Sequence, residues 1–101
     1  MTKVDLFNAK NSSKPVEDGL EIALVDVGSF EDVDKDSHPV TVSVLKDVSG
    51  EIYCSISATI AKSLDLLSEI IAENNGTPVK VVVVKATSNN GREFYQLKIE
   101  Q

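Results

Sequence analysis

The spacing of apolar residues changes twice along the chain. In four short segments apolar residues occupy every second position, and a fifth short segment is almost continuously apolar; both patterns are typical of β-strands. In one segment, beginning at Thr59, they recur every three to four residues, which is typical of an amphipathic helix. The alternating segments cover residues 20–28, 40–46, 52–57 and 92–99, and the continuous one covers residues 79–85. The helical stripe consists of Ile60, Leu64, Leu67 and Ile71. The sequence therefore predicts three strands, one helix and two further strands, in that order.

Turn-forming residues separate these segments. Residues 47–50 and 87–91 have hairpin chemistry, and Asn74-Asn75-Gly76 followed by Pro78 ends the helix. Residues 28–38 are rich in carboxylates and predict a long, solvent-facing loop between the first two strands. The first 18 residues are polar apart from one small apolar cluster. We therefore expect a flexible N-terminal arm over residues 1–18 and one folded domain over residues 19–101.

The order of the elements constrains the architecture. A single helix cannot cover both faces of a five-stranded sheet, and the Val-rich and Ile-rich strands need cover. Curling the sheet into a small barrel, with the helix at one end, hides these faces and removes exposed edges. The fold class predicted is mainly β with one helix, a five-stranded OB-like β-barrel of order β-β-β-α-β-β. The alternative is an open mixed sheet with the helix across one face, as in a β-grasp.

Composition narrows the functional classes. The chain has 101 residues and a net charge of −6, with 42% hydrophobic and 26% charged residues, which is ordinary for a globular domain. One Cys cannot form an internal disulfide, and no segment is apolar enough for a signal peptide or membrane span, so we expect a cytoplasmic protein. Cys54 is predicted to be buried and His38 to lie in a loop, which argues against a catalytic pair. We expect that the protein is not an enzyme and that it binds no cofactor or metal.

A family resemblance adds to this interpretation. The element order, the position of the helix and the closing strand Gly91-Arg92-Glu93-Phe94-Tyr95-Gln96-Leu97-Lys98 resemble the small OB-fold single-stranded DNA-binding proteins of bacteriophages. The likeness is one of topology and covers residues 20–100. It implies a non-catalytic protein that binds single-stranded DNA during replication or recombination, with self-association extending the binding groove. The protein would act in the cytoplasm of a bacterial or phage-infected host cell.

Binding of single-stranded DNA needs aromatic faces for stacking and cations for phosphates. If Val40, Val42, Val44, Ile52, Cys54 and Ile56 point into the barrel, then Thr41, Ser43, Leu45, Tyr53 and Ser55 point outward. Residues 1–38 carry 4 basic and 9 acidic side chains, whereas residues 76–101 carry 4 basic and 2 acidic ones. The last hairpin is therefore the predicted cationic patch. The predicted nucleic-acid-binding residues are Phe30, Lys46, Tyr53, Lys85, Arg92, Phe94 and Lys98.

The acidic loop supports a second hypothesis. The alternating carboxylates at residues 32–36 resemble the first half of a calcium loop, but Ser37 and Ser43 stand where such a loop needs Gly and Glu. The loop could instead dock on a basic protein partner. The alternative function is thus an acidic protein interaction module, and its partner-binding residues would be Glu31, Asp32, Asp34 and Asp36.

Overall fold

The computed structural model describes residues 1–100, which form two helices and a six-stranded sheet. The elements in chain order are α1 (Lys3–Ser12), β1 (Lys14–Pro15), β2 (Glu21–Val33), β3 (Pro39–Asp47), β4 (Ile52–Ser55), α2 (Ala58–Glu73), β5 (Val79–Thr87) and β6 (Glu93–Ile99). The five predicted strands are β2 to β6 and the predicted helix is α2. Neither helix is long and apolar enough to span a membrane.

The sheet has the strand order β1-β4-β3-β2-β5-β6 and curls into an OB-like half-barrel around α2. Neighbouring strands are antiparallel, except that the short β1 runs parallel to β4. Within residues 1–100, no strand pairing joins β6 to β4. A hydrogen bond links these two regions instead, because the Ser57 hydroxyl donates to the Tyr95 carbonyl oxygen at 2.6 Å. The predicted fold class is confirmed, and the barrel retains a gap.

The core lies between the concave face of the sheet and the apolar stripe of α2. Because Ile60, Leu64 and Leu67 recur at helical spacing, they point together toward the sheet. The buried core residues are Val16, Ile22, Leu24, Leu45, Ile60, Leu64, Leu67, Val79, Val81 and Val83. The helix begins earlier than predicted, because its N-cap is Ser57, whose hydroxyl accepts from the Ile60 N–H at 3.4 Å.

Strand β2 belongs to both halves of the sheet. Its first residues, Glu21–Leu24, pair with β5, and Leu24 and the residues from Asp26 onward pair with β3. The register shifts between these two residues, which is a β-bulge, and such a bulge bends a strand. The Asp47 carboxylate accepts a hydrogen bond from the Ala23 N–H at 2.8 Å, next to the bulge. The end of β3 is thereby tied to the bend.

The predicted loop over residues 28–38 is shorter than expected, because β2 continues to Val33 and the connection to β3 covers only residues 34–38. The sequence predicts that the first strand ends at Gly28. In the structure it lies inside β2, where α1 packs closely: a Cβ atom at this position would lie 3.0 Å from the Met1 sulfur and 3.2 Å from Leu6 Cδ2. Gly28 therefore makes room for the helix, as glycine inside a strand does where another element approaches closely.

The predicted orientation of β3 and β4 is wrong. Leu45 is part of the core and Tyr53, its partner across the strands, packs against the same core, so both point inward. Val44 and its partner Cys54 lie on the opposite, convex face. Val44 is nonetheless fully buried, on the face where Met1 and Leu6 of the N-terminal segment pack over Gly28, the residue paired with Val44. Alternation points to the wrong face because Ser43, on the inner face beside Leu45, is fully buried, while the valines of the convex face, Val42 and Val44, are buried as well.

The N-terminal helix was not predicted. Its first turn has a capping box, in which the Thr2 hydroxyl accepts from the Asp5 N–H at 3.1 Å while the Asp5 carboxylate accepts from the Thr2 N–H at 3.4 Å. The helix is attached to the sheet by buried Ala9, by an Asp5–Lys46 ion pair at 3.6 Å and by the Met1 ammonium, 3.1 Å from Asp26. A single buried side chain leaves no apolar stripe to detect. The flexibility expected for residues 1–18 stays a prediction.

Candidate nucleic-acid interface

The gap in the barrel forms a groove with a volume of 630 Å³. One wall is the edge formed by β1 and β4, and the other is the start of β6. The lining residues are Pro15, Val16, Cys54, Ser55, Ile56, Ser57, Arg92, Glu93, Phe94 and Tyr95. The groove exists because no strand pairing within residues 1–100 closes this gap, which the hydrogen bond between Ser57 and Tyr95 spans at one point.

The hairpin between β5 and β6 fixes the second wall. Gly91 has a φ of +78°, a conformation that favours glycine, and its N–H donates to the Ser88 carbonyl oxygen. The Ser88 N–H donates a hydrogen bond to the Arg92 carbonyl oxygen at 2.8 Å, and the Ser88 hydroxyl accepts one from the Arg92 N–H at 3.3 Å. This closed turn sets the direction in which Arg92 and Phe94 leave the backbone.

The groove combines apolar surface with a cation. Phe94 is half-buried, Arg92 is exposed, and Ile56 on the facing wall is 63% exposed. Tyr95 packs its ring against the core while lining the groove. An aromatic side chain beside an exposed guanidinium is the combination that binds a base and its phosphate.

Glu93 is the acidic residue of the groove, and its charge is compensated. Its carboxylate lies 2.8 Å from the Lys85 ammonium. The hydrogen bond to Glu93 raises the pKa of Lys85, and the charge of the same carboxylate adds to the effect. Lys85 therefore remains charged across the physiological range, and the pair presents little net negative charge to a phosphate.

Of the seven residues predicted to bind nucleic acid, the structure brings Arg92 and Phe94 together in the groove. Lys85 lies close by through its ion pair with Glu93. The others lie elsewhere. Lys98 is exposed further along β6, and Phe30, predicted in a loop, lies within β2 opposite Val42.

Lys46 and Tyr53 differ most from expectation. Lys46 pairs with Asp5 of α1, and this contact lies on the convex face. Hydrogen bonds from Thr2 and the Lys46 ammonium lower the pKa of Asp5, outweighing the burial that would raise it. Tyr53 points inward and lines a smaller cavity with Leu20 and Lys14. Its predicted outward position is wrong, because β4 has the opposite face inside.

Three of the four carboxylates in the alternative hypothesis accept hydrogen bonds within the hairpin formed by β2 and β3. Asp34 accepts backbone hydrogen bonds from Asp36 and His38, both at 2.9 Å, and Glu31 accepts from the Thr41 hydroxyl at 3.0 Å. Asp32 accepts from the backbone N–H of the next residue. The ligand atoms of Asp34, Asp36 and His38 lie within 4.8 Å of one another. The hydrogen bonds that Asp34 accepts in the turn between β2 and β3 explain why these three side chains lie close together.

Sequence reasoning missed Tyr95, Ile56 and Pro15 as parts of the groove. The alternation in the last strand gives Tyr95 no role beyond that strand, although it lines the groove. The sequence predicts Ile56 inside the barrel, whereas it is exposed at the groove. Pro15 lay in the expected arm. The sequence offered no signal for Pro15, because its position depends on the parallel pairing of β1 with β4.

An OB-like half-barrel whose open side holds an aromatic ring and a guanidinium belongs to the class of domains that bind single-stranded nucleic acid. Comparison with known proteins identifies the family. The sequence profile described as phage single-stranded DNA-binding protein matches residues 1–100, so the chain belongs to the phage single-stranded DNA-binding protein family. The resemblance inferred from the sequence is confirmed.

Individual relatives agree with the family assignment. The chain is 27% identical to the single-stranded DNA-binding protein of Bacillus phage PZA over 104 residues, which cover 96% of this chain and 84% of the relative. It is 29% identical to the protein of the same name from Bacillus phage B103, with coverages of 94% and 84%. For Bacillus phage phi29 the identity is 27% with coverages of 96% and 84%. A search of the solved structures found no match.

Proposed function

We propose that this protein binds single-stranded DNA in the groove between β4 and β6, without catalysing a reaction, during phage DNA replication or recombination in the cytoplasm of the host cell. Family membership supports single-stranded DNA as the ligand. The observation that carries the proposed site is that Phe94 and Arg92, predicted separately from the sequence, line one groove. A base stacks on Phe94, and Arg92 neutralises an adjacent phosphate.

The proposed contacts suit a protein that must bind any sequence. Stacking on an aromatic ring is sequence-tolerant because every base has a π-face, and it contributes about 1–3 kcal/mol per base. The guanidinium of Arg92 contacts the backbone, which carries no sequence information. Contact between Arg92 and a phosphate releases counterions from the DNA, so binding should weaken as the salt concentration rises.

The test is fluorescence anisotropy with labelled oligo-dT at several salt concentrations. We expect Phe94→Ala to weaken binding by about 1–3 kcal/mol. Phe94→Tyr should retain most of the affinity, because it keeps the ring. Arg92→Gln should reduce the slope of log K against log salt by about 0.7, the value for one phosphate contact on a single strand.

Leu66→Ala is the control, since Leu66 is an exposed apolar residue of α2 that does not line the groove. Equal affinities of Phe94→Ala and wild type, with both proteins folded by circular dichroism, would place the DNA elsewhere. Self-association that extends the groove is a further proposal, which light scattering with and without oligo-dT would test by a rise in mass.

A further inference from the structure

The N-terminal helix replaces the sheet as the outer surface over β2, β3 and β4. Met1 and Leu6 pack over Gly28, which lies opposite Val44, and Asp5 reaches Lys46. This convex face therefore presents the outer side of α1 to solvent. A ligand that approaches this part of the molecule meets α1 first.

The outer side of α1 carries an aromatic ring between two cations. Lys3, Phe7 and Lys10 are separated by four and three residues, so they share one face of the helix, and all three are exposed. Phe7 is 69% exposed and Val4 beside it is 68% exposed. The helix packs through Ala9, Leu6 and Asp5 instead, so packing of α1 does not explain a phenylalanine at position 7.

The electrostatics of this face are favourable to phosphate. Asp5 is the single acidic residue among residues 1–14, and it is already paired with Lys46. Within residues 1–100, no carboxylate lies within 4.0 Å of the ammonium of Lys3 or Lys10. In a protein of net charge −6, α1 thus presents two unpaired cations on one face.

The helix is also continuous with the groove. It ends at Ser12, and Pro15, three residues later, lines the groove. A helix of 10 residues is about 15 Å long, enough to contact a few nucleotides of an extended strand. DNA that leaves the groove at Pro15 therefore meets the C-terminal end of α1.

We propose that α1 is a second contact region for single-stranded DNA, in which a base stacks on Phe7 while Lys3 and Lys10 contact the neighbouring phosphates. This inference rests on the proposed function of the groove. The strand runs from the groove onto the helix, so only an oligonucleotide long enough to reach α1 uses these residues.

The experiment compares oligo-dT of about 4 and about 16 nucleotides, the limits of site size for an OB domain. With the longer oligonucleotide, we expect Phe7→Ala to lower affinity by about 5- to 150-fold, the range for loss of one stacked base. Phe7→Tyr should bind like wild type, and Phe7→Leu should lose affinity like Phe7→Ala. The double variant Lys3→Gln, Lys10→Gln should lower the salt slope by about 1.4.

With the shorter oligonucleotide, the Phe7 and lysine variants should bind like wild type, whereas Phe94→Ala should weaken binding to both. The matched control is Leu66→Ala on α2, because Leu66 is 61% exposed but lies beside Asp65 rather than between lysines. Circular dichroism checks that each variant is folded.

Three results would overturn the inference: wild-type affinity of Phe7→Ala for the longer oligonucleotide, full retention by Phe7→Leu, or an unchanged salt slope in the lysine variant. If these occur while Phe94→Ala still weakens binding, the groove remains the site and α1 has no role. If Phe94→Ala has no effect on either oligonucleotide, the proposed function of the groove is wrong independently of α1.

Discussion

The Asp47 carboxylate holds together the bend in β2, and its removal should destabilise the fold by a predictable amount. One oxygen accepts from the Ala23 N–H at 2.8 Å and the other from the Ser49 N–H at 2.9 Å. In Asp47→Ala, water can satisfy the exposed Ser49 N–H, but the part-buried Ala23 N–H loses its acceptor. An unsatisfied buried donor costs about 1–3 kcal/mol, so we expect a loss of about 2 kcal/mol. Asp47→Asn retains an oxygen for Ala23 and should lose less.

The pH dependence follows from the lowered pKa of Asp47. Burial would raise this pKa, but the hydrogen bonds from Ser49 and Ala23 outweigh it, and the pKa lies below its ordinary value of 3.8. The contribution of the charged form is therefore complete above pH 3.8 and disappears as the pH falls through the pKa of the folded state. The difference in stability between wild type and Asp47→Ala should shrink in acid.

Thermal unfolding followed by circular dichroism measures both effects. A change of about 1 kcal/mol shifts the Tm of a domain this size by about 4–8 °C, so Asp47→Ala should melt about 8–16 °C lower at pH 7. Asp36→Ala is the control, since Asp36 is exposed and its carboxylate has no hydrogen-bond partner within residues 1–100. A Tm shift equal to that of the control, or one that stays constant into acid, would refute the role assigned to Asp47.

Three further substitutions test other parts of the fold. Ser57→Ala removes the N-cap of α2 and the hydrogen bond to Tyr95, and should lower the free energy of unfolding, measured in urea, by about 1–2 kcal/mol. Ser57→Thr keeps a hydroxyl and should retain most of that stability. Gly28→Val should displace α1, because the new side chain would clash with Met1 and Leu6. Amide hydrogen exchange should then become faster over residues 3–12 while the core stays protected, and unchanged exchange would contradict the close packing of α1 on Gly28. Leu45→Ala should lower the free energy of unfolding by about 2–5 kcal/mol, because Leu45 is fully buried in the core. A loss near zero would instead support the outward orientation predicted from the sequence.

The sequence could predict the part of the candidate site that lies in one hairpin, but not the part that distant segments of the chain complete. Arg92 and Phe94 were identified because they stand in the last hairpin, which sequence pattern locates well. Their facing wall, with Pro15 and Ile56, comes from β1 and the end of β4, which only folding brings near β6. The cationic face of α1 was hidden by averaging the charge over residues 1–38, in which the carboxylates after residue 14 outnumber the lysines.

The sequence by itself determined strands β2 to β6, helix α2 and the fold class, because a strand of period two and a helix of period 3.6 are local properties of the chain. Strands β2 to β6 and helix α2 all lie where alternation and turn residues predicted them, with shifts at their ends. Tertiary structure decided which face of a strand is inside. Val44 and Leu45 are both apolar and both fully buried, one on the convex face that α1 helps to cover and one in the core. The docking of α2 on the concave face and of α1 on the convex face makes these two environments different, and α1 has no apolar stripe that would show it in the sequence.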